Sequence, residues 1–323
     1  MSAINFGIIA SGGMARSWAR GFEKVPDAAL AGTWDPDPAQ AQGLVEEFGG
    51  QVYPSLEGLL EDPAIEAVVV VSPNPFHAEQ TIAAAHAGKH VITEKPMALT
   101  LEDCDAMIAT CQEAGVLLMV GQVLRYITPF GGCLEMVRRG DLGKLWGANV
   151  TRLGTWTGVR RTTWRGNESW TKGMLWEIYV HEVDFFHCLL GRPENVCARR
   201  NFQGSPVTPE GFDLLHVLLS CPEGRLGHLL VGQVPAGGGN AYEVFGEKGT
   251  LRWQAWEPKL YFTPAGETEA QELEVLQPLE GTAAELEGFC QAIRGEGPVP
   301  VPGEEGRAVI ATAEMIRAAW ETA

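Results

Sequence analysis

The stretch Asn5-Phe6-Gly7-Ile8-Ile9-Ala10-Ser11-Gly12-Gly13-Met14-Ala15 decides the fold. An apolar run of strand length ends in a cluster of small residues, and a helix is expected to start there. A dinucleotide loop needs this order. It takes a tight turn, a bare backbone that a pyrophosphate can approach, and a helix N-terminus aimed at the negative charge. The usual spacing is Gly-x-Gly-x-x-Gly/Ala, and here Ala10, Gly12 and Ala15 take the three small positions. Ala10, Ser11, Gly12, Gly13 and Met14 are therefore candidate cofactor-binding residues. Taken alone, the match fits a glycine-rich turn equally well.

The flanking pattern turns the loop into a fold. Ala28–Trp34 reads as a second strand, stopped by Asp35-Pro36-Asp37-Pro38, and 39–48 as a helix. Gln51–Tyr53 is a short strand, and Ala67–Val71 is one Ala followed by four Val, the run of a strand buried on both faces. Residues 75–88 read as a helix closed by Gly88, followed by a strand at 90–93, a helix at 101–114 and a strand at 116–120. Strict alternation of strand and helix predicts a parallel, doubly wound α/β sheet. Asp35 closes the second strand about 20 residues past the loop, where a carboxylate binds ribose hydroxyls. It could also cap the following helix. With Asp37 beside it and no Lys or Arg near in sequence, NAD is expected over NADP.

After Gly121 the alternation stops. Residues 129–139 and 174–190 read as helices, 145–152 as a strand, and 196–262 as several strands of a mainly antiparallel sheet with glycine-rich turns. Two helices, near 283–294 and 304–321, close the chain. The predicted domains are a Rossmann domain over 1–123 and an α+β domain over 124–323 with a large open sheet.

Bulk numbers narrow the function. The 323 residues carry 24 basic and 41 acidic side chains, a net charge of −17. A nucleic acid or an anionic membrane is disfavoured as a partner, since both demand a surplus of Lys and Arg. No run reaches the roughly 18 apolar residues of a membrane span, and no basic residue precedes the first apolar run as a signal peptide requires. The seven cysteines include no Cys-x-x-Cys pair, which favours reduced thiols in a cytoplasmic protein over a disulfide framework or a zinc knuckle.

Two further segments, Val70-Val71-Ser72-Pro73-Asn74-Pro75-Phe76-His77 and Gly88-Lys89-His90-Val91-Ile92-Thr93-Glu94-Lys95-Pro96, narrow the fold to a family. With the opening loop they resemble the glucose–fructose oxidoreductase / inositol dehydrogenase (Gfo/Idh/MocA) family, and Glu243-Val244-Phe245-Gly246-Glu247-Lys248-Gly249-Thr250-Leu251 resembles its second domain. The resemblance implies nicotinamide-dependent oxidation or reduction, usually of a sugar or polyol hydroxyl, and an open sheet that often forms an oligomer contact. It implies that Ser72, Asn74 and His77 lie along the cofactor, that Glu94 contacts it near the nicotinamide ribose, and that Lys95 points into the active site. A homodimer or homotetramer is expected.

The segment Gly173-Met174-Leu175-Trp176-Glu177-Ile178-Tyr179-Val180-His181-Glu182-Val183-Asp184 carries the reacting groups. At 3.6 residues per turn, Glu177, His181 and Asp184 share a face. Oxidising a secondary alcohol needs a base for its proton, which suits His181, and a donor for the developing negative oxygen, which suits Lys95. The family pattern here is Asp-x-x-x-His-x-x-Asp. Glu177 replaces the first Asp and reaches roughly 1.5 Å farther, Tyr179 stands where Gly is common, and Lys172 replaces a residue of a glycine-rich run. A metal is not expected, because His181, Asp184 and His187 lack ligand spacing on one face.

Five of the ten tryptophans (146, 156, 164, 170 and 176) fall in this region, suited to the CH faces of sugars or simply to core packing. Arg165, in a Trp164-Arg165 pair that resembles one near the family active site, is a substrate-side candidate, as are Asp184, Lys172 and Arg125. Charge is uneven. Residues 257–305 hold eleven Glu against two basic residues, and residues 125–172 hold nine basic against three acidic. Arg160, Arg161, Arg165 and Lys172 could favour an anionic substrate or the dinucleotide phosphates, or form a solvated rim. Two other functions fit the same residues: an enzyme using tightly bound NAD only transiently, as in epimerisation or glycoside cleavage, and a non-catalytic sugar- or NAD-sensing module.

Overall fold

In the computed structural model the described residues are 2–155, 163–202, 213–234, 238–254, 257–275, 279 and 281–321. The chain forms two compact units. The first comprises Met1–Tyr126 and Leu279–Arg307, the second Ile127–Pro278 and Ala308–Ala323. The sequence reading places one boundary near 123 and gives everything beyond it to the second domain. The observed division differs, because the chain returns to the first unit after residue 278.

The first unit holds strands β1 (Ile4–Ile9), β2 (Ala28–Trp34), β3 (Gln51–Val52), β4 (Ala67–Val70), β5 (His90–Glu94) and β6 (Leu118–Gly121), with helices α1 (Gly13–Phe22), α2 (Pro38–Phe48), α3 (Leu56–Glu61), α4 (His77–His86) and α5 (Leu101–Ala114) between them. All pairings are parallel, in the order β3-β2-β1-β4-β5-β6. The order reverses between β1 and β4, so ligands are expected beyond the carboxyl ends of those strands. Local chemistry sets the boundaries. Asp37 caps α2 with Pro38 at its first position, Ser55 caps α3, and Thr100 caps α5, which ends on left-handed Gly115.

The centre of this sheet is dry. Phe6, Ile8, Ile9 and Val68–Val70 are fully buried. The reason for the chain's return is visible here: α9 (Thr282–Ile293) brings Phe289 to within 6.5 Å of the Phe6 ring, which also meets Phe22 at 5.3 Å. Burying a Phe side chain stabilises by about 1.5–3 kcal/mol, so α9 completes the core of the first unit.

The second unit contains α6 (Phe130–Arg139), β7 (Leu145–Thr155), α7 (Glu168–Thr171), α8 (Val180–Leu190), β8 (Asn195–Asn201), β9 (Leu214–Ser220), β10 (Leu226–Val234), β11 (Asn240–Gly246), β12 (Gly249–Gln254), β13 (Leu260–Pro264) and β14 (Gln271–Leu273). The last helix, α10 (Gly303–Glu321), begins in the first unit and runs on into the second. The eight strands lie in the order β14-β13-β12-β11-β7-β10-β9-β8. They are antiparallel except for β7 with β10, which run parallel. Alternation assigns the faces: Leu215, Val217 and Leu219 are buried, while His216, Leu218 and Ser220 are exposed. Helix α8 packs on the covered face over a cluster of Phe130, Phe185, Tyr242 and Trp253, in which the Tyr242 and Trp253 rings stack at 5.1 Å. The opposite face leaves Trp146, Leu218 and Leu226 more than half exposed. Among the described residues no helix is long and apolar enough to cross a membrane.

Candidate active site

The first group of candidates stands at the ends of the parallel strands. Gly12 is the extended residue before α1 and Gly13 its first residue. A Cβ built on either glycine meets nothing within 4 Å, so the α1 N-terminus is open to an approaching group. Ala10 holds φ +75°, the left-handed conformation that normally selects glycine, at the position where the usual pattern has one. Met14, in the first turn of α1, is half-buried. Ser11 is buried, and its amide donates to Asp35 Oδ2 at 2.6 Å. The Asp37 amide donates to Asp35 Oδ1 at 2.8 Å. Asp37, not Asp35, caps α2, which leaves Asp35 as the carboxylate of the loop at the end of β2.

A cation does reach this loop, contrary to the reading of neighbours along the chain. Arg16, one turn into α1, donates from Nη1 to the Ser11 carbonyl at 3.1 Å and from Nε to Glu47 at 3.2 Å. Helix geometry folds it back to the loop, and Glu47 balances its charge.

At the end of β4, Ser72 Oγ is buried and has no hydrogen-bond partner, an orphan hydroxyl at the mouth expected for a ligand. Asn74 is buried beside it in sequence. His77, expected along the cofactor, opens α4. Its ring is buried, with Nδ1 2.8 Å from the Pro96 carbonyl and Nε2 2.8 Å from the Ser72 carbonyl, so both nitrogens face backbone. Glu94 is likewise engaged by protein. Its Oε1 accepts from Trp18 Nε1 at 2.8 Å, and its Oε2 accepts from the Lys95 amide at 3.2 Å. Lys95 is half-buried, and the Lys95–Pro96 peptide is cis. Trp18 is a functional neighbour that the motifs did not flag, although the 15–18–22 spacing of buried residues in α1 points it inward. The open glycines, the orphan Ser72 hydroxyl and the Asp35 carboxylate together fit a dinucleotide.

The second group lies in the second unit, where the helical register differs from expectation. Leu175–Tyr179 is π-helical, and only Val180–Leu190 is α-helical. His181 and Asp184 therefore keep the 3.6-residue spacing within α8, while Glu177 does not share it, because a π turn takes more residues per turn and shifts the phase. His181 is half-buried and Asp184 fully buried. Glu177 is buried, and its longer arm accepts from Arg165 Nε at 2.7 Å, while the Arg165 guanidinium sits 4.7 Å over the Trp164 ring. Tyr179 donates to the Gly232 carbonyl at 2.9 Å.

Several described cations of the basic segment are paired. Lys172, left-handed at φ +57°, forms an ion pair with Glu314 and lies 4.6 Å over the Trp176 ring. In the first unit Arg125 pairs with Glu305 at 2.6 Å. With Arg165 on Glu177, two of the cations that suggested an anionic substrate, Arg165 and Lys172, each face a carboxylate, as does Arg125. Arg160, Arg161 and Trp156 lie outside the described residues. His187 contacts Thr312 Oγ1 at 2.9 Å. The described cysteines are free thiols, five of them buried, and burial pushes Cys104 and Cys290 up to about 12.

Beneath His181, the fully buried Glu182 accepts from Arg152 Nη1 at 2.6 Å and from the Tyr242 hydroxyl at 3.1 Å. Burial, then the Glu182 charge, holds Tyr242 well above the usual phenol range. Burial works against the charge of Arg152, and the adjacent Glu182 overcomes it, so its pKa is raised. This ion pair ties α8 to β7.

Comparison with known proteins places the chain. Residues 4–122 match the model of an oxidoreductase family with an NAD-binding Rossmann fold, and residues 134–323 match the C-terminal alpha/beta domain of the same family. An NADP-dependent scyllo-inositol 2-dehydrogenase of Bacillus subtilis is 29% identical over 298 residues, covering 84% of this chain and 80% of that protein. A 2,7-anhydro-N-acetylneuraminate hydratase of Escherichia coli is 29% identical over 229 residues, which span 70% of this chain and 61% of that enzyme. The solved structure of an aldose–aldose oxidoreductase from Caulobacter crescentus, complexed with glycerol, superposes with a TM-score of 0.90 at 26% identity, covering 99% of this chain and 98% of that one.

Proposed function

The chain belongs to the Gfo/Idh/MocA oxidoreductase family, and on that premise we propose that it is an NAD-dependent dehydrogenase of a secondary hydroxyl in a sugar, polyol or related cyclic alcohol. The observation that carries this reading is the open Gly12–Gly13 cradle beside Asp35, in a chain whose other unit carries His181 and Asp184 on one helix. Ala10 to Met14, Asp35, Ser72 and Asn74 hold the dinucleotide. Bound NAD supplies the hydride acceptor. His181 takes the hydroxyl proton, since an ordinary imidazole changes charge near neutrality. Lys95 keeps its proton on Nζ and donates to the substrate oxygen as negative charge develops there. Asp184 and the Glu177–Arg165 pair orient neighbouring hydroxyls by accepting and donating hydrogen bonds.

Asp35 favours NAD, because a 2′-phosphate would meet its negative charge while Arg16 is already balanced by Glu47. The paired state of Arg125, Arg165 and Lys172 favours a neutral substrate over an acidic one. The open face of the eight-stranded sheet, with Trp146, Leu218 and Leu226 exposed, suits contact with a second copy of the chain.

The test is NADH absorbance with purified protein across neutral sugars, polyols and their uronic acids. Net NADH formed with a neutral polyol, faster than with its acid, is the expected result. Turnover with no net NADH would instead mark transient use of a tightly held cofactor, and stoichiometric ligand binding without turnover would mark a sensing module.

A further inference from the structure

We propose that His77 is a doubly protonated clamp, a positioning residue that ties the backbone after β4 to the backbone after β5. The functional part of this proposal rests on the reading of the first unit as a dinucleotide cradle. The charge state rests on geometry alone. Nδ1 and Nε2 each lie 2.8 Å from a carbonyl oxygen, of Pro96 and Ser72 respectively, and the ring is 1% exposed. Carbonyl oxygens only accept. A neutral imidazole carries one N–H and one lone pair, so it can donate to one of these oxygens and would set its lone pair against the other. Only the imidazolium donates from both nitrogens. Its bonds are then charge-assisted, which compensates for taking the charge out of water.

The surroundings are compatible with a cation. The segment that the clamp holds carries the buried Glu94 and the half-buried Lys95, and Glu79 on α4 is exposed. Helix α5, packed on α4, offers the buried thiols of Cys104 and Cys111. Burial pushes these up to about 12 and about 11, so they remain neutral. The acidic groups of α5, Glu102, Asp103, Asp105 and Glu113, lie in its first turn or are exposed. His77 begins α4, where the helix dipole disfavours a positive charge. Two acceptors at hydrogen-bond distance outweigh that term. The consequence is mechanical. β4 and β5 are neighbours in the sheet, and the clamp fixes the spacing of the two loops that follow them, one bearing Ser72 and the other bearing Lys95.

The experiment is nitrogen-15 NMR of the full chain with labelled histidines, at about pH 8, where an ordinary imidazole with a pKa near 6.5 is neutral. One of the seven histidines is expected to show two protonated ring nitrogens, and that signal is expected to vanish in His77→Gln. A neutral His77 ring at this pH overturns the charged clamp. The positioning role is read by calorimetric NAD titration and turnover of His77→Gln and His77→Phe. Loss of a charge-assisted bond should weaken NAD binding roughly tenfold to hundredfold in His77→Phe, with His77→Gln between it and the parent. Unchanged NAD affinity and unchanged kcat in a folded variant overturn positioning. If His77→Phe does not fold, His77→Gln decides. If the parent chain binds no NAD, the cradle reading fails, while the NMR signature still decides the clamp.

Discussion

In the first unit the candidate groups stand where parallel strands end: Gly12 after β1, Asp35 after β2, Ser72 after β4 and Glu94 at the end of β5. In the second they stand along a helix laid on a sheet, with His181 and Asp184 on α8 and Glu177 in the π-helical turn before it. The difference is one of tolerance. A strand end places a loop by topology, so the cradle survives small changes of register. A helix places a side chain by its phase, and one widened turn rotates everything beyond it. The second unit therefore needs a device that fixes rotation, and the Arg152–Glu182–Tyr242 cluster beneath α8 supplies it.

This contrast predicts that the α8 groups carry the proton abstraction, while the strand ends, Lys95 apart, serve binding. His181→Ala should lower kcat roughly 10²–10⁴-fold, the usual contribution of a general base, and leave NAD affinity in a calorimetric titration unchanged. An equal loss in both would erase the division. Arg152→Met leaves Glu182 buried without its cation and should cost about 3–5 kcal/mol in denaturant unfolding. Arg152→Met with Glu182→Leu should recover that stability, because a buried ion pair and an apolar pair of similar volume are often equivalent. If the pair sets the phase of α8, kcat stays low in the stable double variant. Asp35→Ser should weaken NAD roughly tenfold to hundredfold while improving NADP, measured as separate binding constants, with little change in kcat at saturation.

The two smallest effects concern the first unit alone. Ala10→Gly removes a Cβ from a left-handed residue and should stabilise by less than about 1 kcal/mol, since glycine's greater unfolded-state freedom offsets part of the relief. His90, at the start of β5, is pushed below its ordinary pKa by burial. The unfolded chain then binds the proton more readily, so His90 contributes stability above about pH 6.5 that is lost as pH falls through its folded value. A flatter profile of stability against pH for His90→Gln over that acid range would confirm the sign.

The same contrast explains what was legible in the sequence. Alternating apolar runs and caps placed β1 to β6 within a residue or two, and the mainly antiparallel second sheet followed from strand-like runs with glycine turns. Short β14 and the parallel pairing of β7 with β10 were not legible, because pairing partners lie far apart in sequence. Nothing local marks Phe289 as part of the first core either. At the site, spacing singles out the loop residues and Asp35, which stand after β1 and β2. Arg16, Trp18 and the partners of His77 were missed because each contact spans two elements. The π-helical turn was missed because a run such as Leu175–Tyr179 reads equally well at either helical pitch.

The return of residues 279–307 to the first unit, with α10 then leading back to the second, means that the chain passes between the units three times. A single cut cannot separate the cofactor-binding unit from the rest. Residues 1–126 alone would leave Phe6 without Phe289. Exchanging this unit with that of another oxidoreductase therefore requires moving two segments together, and a graft at one junction would carry over half a core.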